Sequence, residues 1–352
     1  MSKWKSFLQR KNIRPNAKLY FVDAMGSMAL GLFATLLIGT IFDTLGQYTD
    51  MALFSEIAGY AKACTGAALG VAIAYTLQAP PLVMLCGAVA GAIGNGLGFT
   101  FVLGGVEKSI TAGPAGAFVV AIIAVELGKM VSKETPVDIL VTPVTTILSA
   151  MLVGKVICPA IAWLMYWLGT FVNTATEMQP LLMGILVSVI VGIVLTLPIS
   201  SAALCAMIGI SGLAGGAATA GCCAQMIGFA VISFRENKWG GLVAQGLGTS
   251  MLQMGNIVKN PRIWIPATLA SAITGPLSTL VFKLKCTGVS AGMGTCGLVG
   301  PLGILKDMGS NTNTWVGIVV TCIVAPAILS LIFSEILRKM GWIKENDLKL
   351  DL

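Results

Sequence analysis

Apolar runs of about twenty residues, each closed by a short polar or charged stretch, recur along the whole chain. A helix of that length matches the roughly 30 Å hydrocarbon core of a bilayer, so the pattern predicts a series of spanning helices. The runs at 25–42, 57–77, 82–103 and 113–131 read as plain crossings. Asp43, Asp50 and Glu56 fill the first connection, and Ala79-Pro80-Pro81 ends the second run. Then the pattern changes. Between Glu134 and Thr146 two prolines, Asp138 and several hydroxyls interrupt apolar sequence. Proline removes a backbone donor and breaks a helix, and broken backbone at membrane depth survives only where protein or a cavity receives it. The stretch 135–155 therefore predicts a re-entrant hairpin, followed by a crossing at 157–172.

The second half reads as a replay. A span at 180–198 is followed by 200–233, long enough for two short crossings with breaks near Gly215-Gly216 and Cys222-Cys223. The stretch 240–260 carries Gln245, Thr249, Ser250, Gln253 and Asn256. It is too polar to span and predicts a helix lying at the interface. A crossing at 262–282, a glycine-rich broken hairpin at 288–301 and a last span at 313–336 complete the chain. The prediction is an all-α polytopic membrane protein with about ten transmembrane helices in two inverted repeats, each with a re-entrant hairpin. Its parts are a basic cytoplasmic segment (1–24), a first repeat (25–178), a second repeat (179–338) and a cytoplasmic tail (339–352). Paired interruptions in corresponding halves point to a carrier's binding site.

Composition supports this class. The 352 residues are 56% hydrophobic and 11% charged, where a soluble domain has about a quarter charged. The 42 glycines favour close helix packing. The net charge of +7 does not indicate nucleic acid, because the basic residues gather at the ends of apolar runs, where they set orientation. Lys3, Lys5, Arg10, Lys11, Arg14 and Lys18 precede the first run, and Arg338 and Lys339 follow the last, which predicts both termini inside. Trp4, Phe7 and Leu8 alternate with the first of these bases, as in a helix lying on the inner leaflet. Residues 1–16 lack the apolar core of a cleavable signal. Lys283 and Lys285 fall on the predicted outer side and depart from the rule.

The nine cysteines form no CxxC pair and the chain has no histidine. They read as small buried residues, with no metal and no cofactor expected. Clustered acid–base groups are too few for an enzyme. An ionisable group at membrane depth is a functional candidate, and Asp138 is the one in the first broken stretch. The expected solute contacts are Asp138, Thr142, Thr145 and Thr146 from one hairpin, Ser290 and Thr295 from the other, and the amides of Asn95 and Gln225. Each has a plainer reading. The threonines can bond back to helix carbonyls, Asp138 can cap a helix, and the glycines around Asn95 can serve packing. Glu126 reads as the partner of Lys129, one turn away.

The Thr135-Pro136-Val137-Asp138 segment, the glycine run at 288–301 and the span plan together resemble the membrane (IIC) components of the bacterial phosphotransferase system. The likeness is nearer to an IIC-like branch that includes the perfringolysin O regulator. It implies a homodimer in the bacterial cell membrane, a small polar, sugar-like solute bound in each protomer, and alternating access. Glucose-type members use a histidine near the sugar, which this chain lacks. Phosphotransfer would need a separate IIB-type subunit. The alternative is a non-transporting membrane sensor that binds a small ligand and signals through a partner.

Overall fold

The computed structural model describes residues 3–14, 16–49, 51–103, 106–176 and 178–350. It is 81% helical, and its strands are a single antiparallel hairpin, Gly98–Leu103 with Val106–Thr111, among the described residues. Among the described residues six helices are long and apolar enough to cross a membrane: Leu19–Gly46, Gly113–Val131, Asp138–Thr176, Gly212–Ile232, Pro261–Val281 and Thr312–Lys339. A seventh crossing is available if Ala52–Ala63 and Thr65–Thr76, bent by 45° at Cys64, act as one span. Pro81–Gly96 and Pro180–Thr196 are apolar but shorter. The protein is a multi-pass, helical membrane protein.

The chain divides into two compact units, 1–39 with 59–165 and 40–58 with 166–352. In the first, helices meet through glycine faces. A Cβ on Gly70 would stand 1.9 Å from the Gly87 carbonyl oxygen, and one on Gly91 would stand 2.2 Å from that of Gly66. The glycine run around Asn95 thus serves close packing. The third run ends as a helix at Gly96 and continues into the β-hairpin, instead of remaining helical to 103.

The hairpin expected at 135–155 is absent. Asp138–Thr176 is one helix of 39 residues, with Pro143 and Pro159 inside it. The reason is local. Pro143 and Pro159 each remove one N–H from the helix ladder, and the helix continues through both. No glycine occurs from 135 to 153 to allow a tight turn. At 1.5 Å per residue the helix is about 58 Å long, far more than one crossing needs. Its continuity removes one of the two hairpins on which the inverted-repeat expectation rested.

In the second unit the central helix is Gly212–Ile232, and its most apolar window is 89% buried. It does not break at Gly215-Gly216 or Cys222-Cys223, as the sequence reading expected. Those glycines instead admit other backbone: a Cβ on Gly215 would stand 1.7 Å from the Cys286 carbonyl oxygen, and one on Gly216 would stand 2.0 Å from that of Leu284. Pro180–Thr196, Pro261–Val281 and Thr312–Lys339 pack around it. The glycine run at 288–301 is broken, as predicted. A short helix Gly288–Ala291, a turn and a 3-10 stretch Cys296–Leu298 lead into Val299–Met308. Gly288, Gly294 and Gly297 have positive φ, where glycine carries no Cβ penalty.

The interfacial helix expected at 240–260 is corrected too. The region is a succession of short helical pieces, and Gln245, Ser250 and Gln253 are fully buried. The polar side chains bond to one another and to the C-terminal tail, so they have no need of water.

Candidate functional site

In the first unit, the loop after Gly113–Val131 closes onto the start of the long helix. Lys133 takes a positive φ of 60°, and its N–H donates to Asp138 Oδ1 at 2.7 Å. The Thr142 hydroxyl donates to the same oxygen at 2.6 Å. Asp138 Oδ2 has no partner among the described residues. Thr146 donates to the Thr142 carbonyl at 2.8 Å, the back-bonding that a threonine performs inside a helix. Its hydroxyl also stands where Gly128 leaves room, since a Cβ on Gly128 would meet it at 2.3 Å. Asn95 and Thr145 are half-buried. Of the predicted contacts in this unit, Asp138 and Thr142 are joined, and Thr146 serves the helix.

The same end of this unit holds a buried cation. Lys129, 1% exposed, donates to the carbonyls of Leu77 at 2.8 Å and Asn12 at 3.0 Å. It also pairs with Glu126 at 3.2 Å, as the sequence predicts. Tyr20 donates to Glu126 Oε1 at 3.1 Å. Beside them Arg10 pairs with Glu134 at 2.7 Å, and Lys11 reaches Glu134 and the Ser132 carbonyl. The basic N-terminal segment is therefore held on this unit by ion pairs. The Lys11 hydrogen bond, with help from Arg10, holds the Glu134 carboxyl below its ordinary value.

The second unit contains a polar centre built around a buried amide. Gln225, on the central helix, is fully buried. Its Oε1 accepts from Trp264 Nε1 at 3.0 Å and from the Thr196 hydroxyl at 3.3 Å, and its Nε2 donates to Thr268 Oγ1 at 3.3 Å. Thr196 and Ser250 hydroxyls lie 2.8 Å apart. An amide, three hydroxyls and an indole N–H drawn from four segments thus converge. The sequence singled out Gln225 but missed Thr196, Trp264 and Thr268. Trp264 and Thr268 sit one helical turn apart, a spacing that could have flagged them.

The other predicted contacts in this unit stand apart from that centre. The Thr295 hydroxyl donates to the Gly246 carbonyl at 2.5 Å and approaches the Met226 sulfur at 3.6 Å. Ser290 packs its Cβ against Gly303. Of the cysteines only Cys64 is exposed, and none of the nine is in a disulfide. Among the described residues, no three of His, Cys, Asp and Glu cluster as a metal site.

A family model described as "Phosphotransferase system, EIIC" matches residues 22–350. The chain belongs to that family. A search of curated proteins returned no match. EIIC proteins are membrane transporter components that work with other parts of the phosphotransferase system, and this EIIC chain is a permease of that general kind. The match spans both units. In this EIIC protein the polar groups of the buried centre are hydroxyl, amide and indole, with no histidine available.

Proposed function

We propose that this EIIC-family protein moves a small polar solute, sugar-like in its array of hydroxyls, across a bacterial cell membrane by alternating access. The observation that carries the reading is the Gln225 centre. Its groups both donate and accept, as an array of sugar hydroxyls requires. Leaving such groups unpaired in a dry interior costs a few kcal/mol, so their present mutual bonds stand in for bonds to a solute. Asp138, through its free Oδ2, is a second proposed solute contact, with Thr142, Thr145, Thr146 and Asn95 as neighbours along its unit. Ser290 and Thr295 are proposed contacts in the second unit. The working assembly is a homodimer with both termini cytoplasmic, served by a separate IIB-type subunit.

The test is uptake into vesicles of a panel of hexoses, pentoses and polyols, with binding followed by thermal shift. Wild-type protein should accumulate at least one of them. Asp138→Asn keeps an oxygen for the Lys133 and Thr142 bonds and should fold normally, yet lose roughly ten- to a hundredfold in affinity if Oδ2 holds the solute. Gln225→Leu should abolish uptake. Binding without accumulation would instead indicate a sensor. No binding of any polar solute would overturn the proposal.

A further inference from the structure

We infer that the C-terminal tail is a latch on the second unit, coupled to the Gln225 centre through the single 3-10 turn Ser250–Gln253. This turn faces two ways. At its first residue, Ser250 shares its hydrogen bond with Thr196, whose hydroxyl also reaches Gln225 Oε1. At its last residue, Gln253 Nε2 donates to the Leu348 carbonyl at 2.9 Å and to Gln245 Oε1 at 3.0 Å. Asn256 donates to Gln253 Oε1 at 2.9 Å and to the Lys349 carbonyl at 2.8 Å. Asn237 completes the cradle, donating to the Leu348 carbonyl at 2.7 Å and accepting from the Leu350 N–H at 2.8 Å.

The tail is held by its backbone and by two apolar anchors. Leu348 is fully buried and Ile343 nearly so. Asn260 ties the turn at its start, donating to the Trp342 carbonyl at 3.0 Å and to Asp347 Oδ2 at 2.8 Å. Four amides aimed at main-chain carbonyls, those of Asn237, Gln253, Asn256 and Asn260, form a cradle that accepts a turned segment and lets it go as a unit. Release would strand Gln253 and Asn256 in a buried place, and unpaired buried amides are costly. The latch has two states, the tail docked as observed and the tail released at that cost. Ser250 and Gln253 are the first and last residues of one four-residue 3-10 turn, so a shift at Ser250 is passed on to Gln253. Coupling of this kind is reciprocal: whatever reorganises Thr196 and Ser250 changes the hold on the tail, and the tail biases the centre. That the reorganising agent is a bound solute rests on the function proposed above; the coupling itself does not.

The test needs no solute. Hydrogen exchange by mass spectrometry on the purified full-length protein reads the segments 342–350 and 312–339 separately. Gln253→Leu should accelerate exchange in 342–350. Thr196→Val removes the hydroxyl that holds Ser250 and touches no tail residue, yet should accelerate the same segment roughly three- to tenfold, the worth of one net hydrogen bond. Thr196→Ser should restore the wild-type rate. Ser250→Ala cuts the same bond from the other side and should match Thr196→Val. Acceleration in 342–350 that exceeds any change in 312–339 supports the coupling in either variant. A tail that exchanges at the wild-type rate in both, or that accelerates no more than 312–339, overturns it. An unchanged tail in Gln253→Leu overturns the latch. Failure of uptake with a coupled tail would sink the transport reading alone.

Discussion

At the scale of single residues, the ionised groups at the end of the first unit are explained by pairing. Lys129 is tolerable in the interior because two carbonyls and Glu126 replace its water. Glu134 is different, because it is exposed and pairs with the N-terminal bases Arg10 and Lys11. Its carboxyl is held below the ordinary value of 4.5, first by the Lys11 hydrogen bond. A depressed carboxylate contributes stability above its unfolded pKa and loses it as pH falls through the folded one. Glu134→Gln should therefore melt below wild type near neutral pH, with the gap closing in acid once both forms are neutral there. A gap that stays constant from neutral to acid pH would show that the pairs contribute nothing. Because the group is exposed, the gap should be small and should shrink in high salt.

At the scale of elements, apolar length was legible and backbone breaks were not. The helix Gly113–Val131 was read to the residue, and Pro261–Val281 within one, because each is a clean apolar run between polar ends. The errors over backbone breaks have one physical origin. Proline and glycine mark either a break or a close approach, and one chain alone does not say which neighbour arrives. The long helix runs on through Pro143 and Pro159, and Gly215 and Gly216 make room for the backbone at Cys286 and Leu284. At 288–301, where several glycines take positive φ, the break was read correctly. The buried cradle at 240–260 was misread because its amides looked solvent-seeking, while their partners lay about ninety residues away in the tail. The close-approach account predicts a contrast between two glycines of neighbouring helices. Gly70→Ala drives a methyl into the Gly87 carbonyl and should cost ~1–3 kcal/mol, the usual penalty of overpacking, read as a drop of a few degrees in melting temperature. Gly96→Ala meets nothing within 4 Å and should leave it unchanged. Equal melting of the two variants would refute the packing role.

At the scale of the whole molecule, hydropathy alone gave the class, and the EIIC family match agrees with it. The buried polar centre was only partly legible: Gln225 was singled out, but its partners are ordinary hydroxyls and an indole whose convergence appears once the helices are assembled. Assembly is the level that remains to be tested, and the homodimer proposed from the family resemblance has one physical feature to work with. The helix Asp138–Thr176 has only 22% of its most apolar window buried. Leu140, Val144, Leu148, Leu152 and Val156 follow one another at four-residue spacing and are all exposed, so they form a continuous stripe that winds about 160° around the helix from end to end. Lipid can cover such a stripe, because acyl chains are as apolar as leucine. A second copy can cover it as well, and mass decides between them. Native mass measurement in mild detergent should give twice the 36.5 kDa of the chain, with a single species over a wide dilution range. In a Cys64→Ser background, which removes the exposed native thiol, Leu152→Cys should crosslink between copies in membranes if the stripe is the seam. A dimer mass without that crosslink would move the seam elsewhere, and a monomer mass at every concentration would end the homodimer proposal.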